Sequence, residues 1–301
     1  MAQPLASRSA AVEGILSRPG RLIIGMAVLA ALLLVLPGRT VATRGLDELF
    51  YILDGANRVL SGQVPGRDFI TAQGPLVHYL PALGAWLGGW GAALPVAVGV
   101  VLVLLAPVMA HVLTSRLDPV LALLSAAFLV LVLAAPMNLG EPMTALSFAQ
   151  FHNRIGWVAL ALLLAMVLPP LQSGKDRRDA AAAAVLAFAM IHVRLTYGLA
   201  AVAVLAFILC DRRQRGWAAL ALLGAALGTL VTALIWGGLP GYLQATTTAW
   251  GAGGLLRGSW GDIIDHALVS FTDYVLLGLI AGISLWRRWS LRYALFFILC
   301  A

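Results

Sequence analysis

Long apolar stretches separated by short polar breaks run the length of the chain, and their spacing predicts a succession of helices. A hydrocarbon core of about 30 Å takes about 20 helical residues. Suitable runs occur at Leu22–Pro37, Leu94–Leu113, Val120–Pro136, Gly156–Leu171, Ala180–Ile191, Leu199–Cys210, Trp217–Trp236, Leu268–Trp286 and from Tyr293 onward. One stretch breaks the pattern, GLDELFYILDGANRVLSGQVPGRDFITAQGPLVHYLP at residues 45–81. As a helix over Leu46–Leu60 it places Asp47, Tyr51, Asp54 and Arg58 on one polar stripe and Leu46, Leu49, Phe50, Leu53, Ala56 and Leu60 on the opposite face. Gly62, Pro65 and Gly66 end that helix, and Gly74-Pro75 opens a second apolar stretch, Leu76–Trp90, that contains His78 and Tyr79. The pattern describes an interfacial helix that holds carboxylates at a membrane surface.

Composition sharpens the class. With 61% apolar and 11% charged residues and a mean hydropathy of +0.93, the chain is not an ordinary soluble domain. The expectation is an all-α polytopic integral membrane protein: a cytoplasmic N-terminus at 1–21, then a membrane domain at 22–301 that includes an external loop at 38–93. Basic clusters at Arg8/Arg18/Arg21, Arg116, Lys175/Arg177/Arg178, Arg212/Arg213/Arg215 and Arg287/Arg288/Arg292 favour the cytoplasmic side. All five share one face only if Leu76–Trp90 does not cross the membrane and is a re-entrant or surface helix. That arrangement puts 13 basic and 5 acidic residues inside, and 7 basic and 8 acidic residues outside. The net charge of +7 is then topology, with no case for nucleic acid. Cys210 and Cys300 lie in apolar runs and suit neither a disulfide framework nor a metal site. The N-terminus reads as a retained signal anchor, the last run is cut short at Ala301 so that a further C-terminal part is expected, and no internal repeat is evident. Richness in Ala, Leu, Gly and Arg suggests a high-GC bacterium, and the expected location is the bacterial cytoplasmic (inner) membrane.

Three further segments carry candidate chemistry. Ala180–Cys210 must cross and return in 31 residues, so its turn, IHVRLTYG, holds His192, Arg194, Thr196 and Tyr197 near the outer part of the bilayer. An arginine there marks an anionic ligand or a carboxylate partner, or else snorkels to the headgroups. The loop Met137–Gly156 contributes Glu141, His152, Asn153 and Arg154, which either cap and anchor the following helix or face a ligand. The loop Gly237–His266 adds Trp250, Arg257, Trp260, Asp262 and Asp265. Tryptophans at such a place are belt anchors or sugar-stacking platforms.

An apolar helix followed by DExxY, an arginine-bearing helix, GQVPGRDF and GPLVHYL resembles the first external loop of the lipid-dependent glycosyltransferases of fold class C. These include the dolichyl-phosphate-mannose protein mannosyltransferases and the bacterial aminoarabinose transferase of lipid A. The resemblance implies a GT-C-like helical bundle, with Asp47 and Glu48 matching the family's catalytic acidic pair. Gly74-Pro75-Leu76 matches its Pro-Pro-Leu segment, with Gly for the first Pro. His192–Gly198 looks like the Thr-Lys-Gly-Pro position that meets the lipid phosphate, with Arg194 for the lysine and no proline after it. FHNRIGW is similar to a loop of bacterial members.

The chemistry of such a site has its own logic. Transfer of a sugar from a polyprenyl phosphate needs a carboxylate to accept the proton of the attacking hydroxyl and a cation to stabilise the departing phosphate. Asp47, at a helix start, suits the first task or is an N-cap; Arg194 suits the second. Asp68 either binds acceptor hydroxyls or pairs with Arg67. Together with Tyr51, His78, Tyr79, His152, Asn153, Arg154, His192 and Tyr197 these residues are the expected site. The expected partners are a polyprenyl-phosphate-sugar donor, the bilayer, and a glycan, lipid or protein acceptor. The acidic loop is compatible with a divalent ion but has no diagnostic ligand spacing. Two other classes fit the same pattern: a transporter or lipid flippase, which should show repeated halves, and a non-catalytic assembly subunit, which would tolerate loss of Asp47 and Glu48.

Overall fold

A computed structural model describes residues 19–137, 144–171, 174, 176–253, 264–265, 268–287 and 290–300. The N-terminal segment before Pro19, and Glu141, Lys175, Arg257, Trp260 and Asp262, lie outside the described residues. Every regular element among the described residues is helical, apart from one isolated bridge between Pro65 and Phe69. The chain divides into two compact units, Met1–Thr246 and Thr247–Ala301.

The first unit opens with α1 (Pro19–Val35), α2 (Leu46–Leu60), α3 (Leu76–Gly88) and α4 (Ala93–Arg116). It continues with α5 (Pro119–Ala134), α6 (Phe151–Ala165), α7 (Asp176–Val193), α8 (Leu195–Leu209), α9 (Arg215–Trp236) and α10 (Leu239–Gly253), whose last turns belong to the second unit. The most buried element is α4, which packs against α1, α3, α5, α6 and α7. The face that α1 buries is Ile23, Ala27 and Ala31, and Gly99 of α4 sits against Ala31 and Val35. Small residues at four-residue spacing let two backbones approach closely, which is how apolar helices pack without a large area of side chain between them.

Of the apolar runs, two form helices long and apolar enough to cross a membrane, Trp90–Arg116 and Arg215–Trp236. Pro19–Val35, Pro119–Ala134, Phe151–Ala165 and Leu195–Leu209 are apolar but 15 to 17 residues long, or roughly 22–26 Å at 1.5 Å per residue. Large apolar side chains point outward from these helices: Leu29, Leu32 and Leu33 on α1, Leu124, Phe128 and Leu131 on α5, and Leu223, Leu230 and Leu234 on α9 are all exposed.

The two ends of the first unit differ in character. Gly20 faces Ala110, Leu171 N–H donates to the Ser115 carbonyl, Gln214 donates to the Val167 carbonyl, and Arg116 pairs with Asp179. These contacts gather Arg21, Arg116, Arg177, Arg178, Arg212, Arg213 and Arg215 at one end. The acidic segment, α3 and the break after Val193 lie at the other. There α3, only 13 residues long, returns directly into α4.

Several boundaries differ from expectation, each for a physical reason. α6 starts at Phe151, five residues before Gly156, so His152, Asn153 and Arg154 form its first turn. Residues 239–253, expected as loop, form α10, and Gly238 and Gly241 at its start lie so close to Pro65 and Gly66 that a Cβ on either would meet a backbone oxygen. In α2 the buried residues are Leu49, Ile52, Gly55 and Ala56, while Leu46, Phe50 and Leu60 are exposed. One side of the helix meets α3 and an adjoining apolar stripe faces outward.

The second unit contains α11 (Phe271–Arg287) and α12 (Leu291–Cys300), which pack together around an apolar cleft lined by Tyr274, Leu277, Ala281, Phe297 and Ile298.

Candidate functional site

The acidic pair is carried by the first turn of α2. Its N-cap is Gly45, in the left-handed region with φ 65°, and no side chain caps the helix, so Asp47 at the second helical position is not the cap. Two carboxylates in the first turn sit where the helix dipole favours negative charge. The segment before α2 is zipped to the segment before α6. Thr43 N–H donates to the Leu146 carbonyl at 2.7 Å, Leu146 N–H donates to Thr43 Oγ1 at 2.8 Å, and Thr43 Oγ1 donates to the Thr144 carbonyl at 2.7 Å. Ser147 Oγ accepts from Ala149 N–H at 3.1 Å and closes a local turn ahead of α6. The product is a polar pocket of about 320 Å³ lined by Arg44, Asp47, Glu48, Ser147, Ala149 and Gln150, at the lower end of small-molecule site sizes.

Within that pocket the two carboxylates differ. Asp47 is exposed and Glu48 half-buried. Burial and the neighbouring Asp47 push the Glu48 carboxyl above its ordinary value, while a hydrogen bond from the Gln150 amide and the charge of Arg194 oppose the rise. Charge, burial and hydrogen bonding act on one group from three chain segments.

Arg194 is the break between α7 and α8. It alone is extended, at φ −163° and ψ 135°, between two helices that pack against each other. Its side chain is exposed and has no ion pair among the described residues, and its charge reaches Glu48, His152, Tyr197 and Tyr242. The break is held from outside. Gly74 N–H donates to the Val193 carbonyl at 2.9 Å, and a Cβ on Gly74 would fall 2.0 Å from the His192 carbonyl oxygen. Glycine is required at that point because any side chain would meet backbone. Tyr242 OH donates to the Ile191 carbonyl at 3.3 Å. The loop after α2 is thereby fastened to the Arg194 turn.

The other expected residues fall in three places. Asn153 and Tyr197 join the Glu48 cluster: Tyr197 OH donates to Asn153 Oδ1 at 3.2 Å, and Asn153 Nδ2 donates to Gln150 Oε1 at 3.3 Å. His152 and Arg154 are buried beside it. Arg154 donates to the carbonyls of Ala135 and Met137 and lies over the Phe148 ring, a contact set that fastens the start of α6. The exposed Tyr51 and the buried His78 meet at the buried Thr71. Tyr51 OH donates to Thr71 Oγ1 at 3.0 Å, which is 3.0 Å from His78 Nε2, and the buried imidazole is edge-on to Tyr51 and Phe69. His192 bonds back to the Phe188 carbonyl at 2.8 Å and stacks on the Phe188 ring.

Asp68 and Tyr79 lie apart from the acidic pocket. Asp68 accepts both Arg67 guanidinium donors at 2.9 and 3.0 Å and the Val64 N–H at 2.7 Å, so it closes its own turn. Arg67 and that backbone donor hold its carboxyl below the ordinary range.

Sequence reasoning missed Gln150, which lay inside the expected loop Met137–Gly156 and becomes the N-cap position only because α6 starts earlier, at Phe151. It also read Arg116 only as a topology charge. Arg116 makes a bidentate pair with Asp179 at 2.9 and 3.1 Å, His111 Nε2 lies 2.7 Å from the same carboxylate, and Arg116 and Asp179 are fully buried. Among the described residues no group of three or more His, Cys, Asp or Glu side chains could hold a metal ion. No protein family, curated protein or solved structure matches the chain.

Proposed function

We propose that the chain is a polytopic membrane glycosyltransferase, GT-C-like in fold. It would move a sugar from a polyprenyl-phosphate-linked donor to a hydroxyl acceptor at the extracytoplasmic face of a bacterial cytoplasmic membrane. The observation that carries this reading is a polar pocket lined by Asp47 and Glu48 of α2, with Glu48 within reach of the charge of the exposed Arg194 at the α7–α8 break. The exposed apolar side chains of α1, α5 and α9 support a lipid surround, and the arginines gathered at the opposite end support the orientation.

In the proposed reaction the acceptor oxygen attacks the anomeric carbon and the bond from that carbon to the phosphate oxygen breaks. The hydroxyl proton passes to the Glu48 carboxylate and polyprenyl phosphate departs, its charge met by Arg194. A single displacement inverts the anomeric centre. A carboxyl lifted above its ordinary range is a stronger base when ionised, and a guanidinium stays charged while pairing bidentately with phosphate. Asp47, on the same pocket wall, is placed to bind acceptor hydroxyls.

The test uses purified full-length protein in nanodiscs with short-chain polyprenyl-phosphate hexoses and pentoses as donors. Transfer by the unaltered protein, abolished in Glu48→Gln and reduced in Asp47→Asn with insertion intact, is the expected result. Arg194→Ala should weaken donor binding more than acceptor binding. Full transfer by Glu48→Gln would remove that residue as the base, and unchanged donor affinity in Arg194→Ala would leave the arginine a headgroup anchor.

A further inference from the structure

A helix pair joined by a single extended residue leaves backbone acceptors without their usual donors. In an unbroken helix the carbonyls of Ile191, His192 and Val193 would accept from the N–H groups of Leu195, Thr196 and Tyr197, four positions on. The extended Arg194 takes those donors away, and carbonyls shut off from water need others. Two of the three find them in distant segments. The Val193 carbonyl accepts from Gly74 N–H at 2.9 Å, and the Ile191 carbonyl accepts from the Tyr242 hydroxyl at 3.3 Å. The sense of both bonds is fixed, because a carbonyl oxygen only accepts. Tyr242 is 1% exposed, so its O–H has no solvent to turn to.

The two donors are also joined to each other. Gly74 ends the loop after α2, and Tyr242 lies in the first turn of α10. Earlier in that loop Gly66 packs backbone to backbone on Gly238 and Gly241, where any Cβ would collide with the opposing segment. The loop, α10 and the broken end of α7 therefore hold one another. Gly74 contributes backbone to this clasp, whereas Tyr242 contributes a side chain that one substitution can shorten by a single oxygen.

We propose that Tyr242 is a positioning residue for Arg194: its hydroxyl stands in for a helical donor at the broken end of α7 and fixes the backbone from which the guanidinium reaches an anionic group. Arg194 enters as the group that meets the donor phosphate, so this role rests on the proposed function. It makes α10 part of the site although none of its residues lines the acidic pocket.

Tyr242→Phe removes the hydroxyl and keeps the ring that lies near Trp236. Full-length protein in nanodiscs is read in two ways. Hydrogen exchange followed by mass spectrometry should be faster in Tyr242→Phe across residues 190–198, where the bonded amides of Arg194 and Gly198 flank the break. Binding of a short-chain polyprenyl phosphate should weaken roughly three- to tenfold. The same substitution in an Arg194→Ala background should weaken it no further, whereas a tyrosine that only filled space would weaken both backgrounds alike. Thr246→Val is the control. That buried hydroxyl lies one turn on, and the nearer of its two carbonyls is that of Tyr242 within α10, at 2.8 Å, so exchange at the break and binding should not change. Unchanged exchange or binding in Tyr242→Phe, equal weakening in both backgrounds, or the same changes in Thr246→Val would each overturn the proposal. If the unaltered protein binds no polyprenyl phosphate, the donor reading of Arg194 fails instead; faster exchange then still keeps Tyr242 as the residue that holds the break, and unchanged exchange removes it.

Discussion

At the scale of single residues, adjacent carboxylates behave differently because one helical step turns a side chain by about 100°. Asp47 falls on the exposed stripe with Asp54 and Arg58, whereas Glu48 turns toward Gln150 and Arg194. The sign of each neighbour predicts a pH dependence. If Glu48 must be ionised, activity falls as pH drops through its midpoint. Asp47→Asn removes a like charge, so whatever transfer survives should have its acid limb at lower pH. Arg194→Lys keeps the cation, whereas Arg194→Ala should move the acid limb to higher pH. Rate profiles across the acid range check both directions, and shifts of opposite sign would mean that Glu48 is not the titrating base. Of the two sequence readings of Asp47, proton acceptor or N-cap, the cap does not hold, because the cap position is Gly45.

Among the elements, α2 is legible to its ends because local periodicity and the glycines and prolines after it specify a helix without outside help. The Arg194 turn is legible for the same kind of reason: the short segment between two basic clusters has room for two short helices and a break. What holds that turn was not legible, since Gly74 meets His192 only through contact between segments over a hundred positions apart. Gly74→Ala would force the loop away from backbone that cannot yield. We expect a loss of about 1–3 kcal/mol in stability, read by thermal unfolding, together with reduced transfer, because the same contact aligns Arg194. A Gly74→Ala protein of unchanged stability would mean the loop has another seat. Beneath α2, Gly55 leaves space for the buried His78, whose Nδ1 lies 2.1 Å from where a Cβ would stand; α2 and α3 can pack as they do only with glycine there.

Within the first unit, one set of arginines gathers at the end opposite the acidic segment, and this arrangement makes two predictions. In a Cys210→Ala, Cys300→Ala background, a cysteine replacing Asp68 should react with an impermeant thiol reagent from outside intact cells. One replacing Arg213 should react only after permeabilisation. Identical labelling of both would dismiss the transmembrane arrangement. At the basic end, Asp179 neutralises Arg116 with both side chains fully buried, so Asp179→Ala leaves a guanidinium uncompensated. The expected cost is about 3–5 kcal/mol, measured as a fall in unfolding midpoint in nanodiscs. Arg116→Met with Asp179→Leu should recover most of it, because removing both charges removes the desolvation cost as well.

By itself the sequence determined that the chain is helical and apolar, that one amphipathic helix begins with an acidic pair, and that an arginine interrupts a helix pair. All are consequences of local periodicity, chain length and the conformational limits of glycine and proline. Tertiary structure alone decided that Glu48 is half-buried within reach of the Arg194 charge while Asp47 stays exposed, and that Arg116, Asp179 and His111 form one cluster. Which way a side chain faces depends on what covers its helix, and which groups become partners depends on segments far apart in the chain being excluded from water together. Neither quantity is written in the order of residues within any one element.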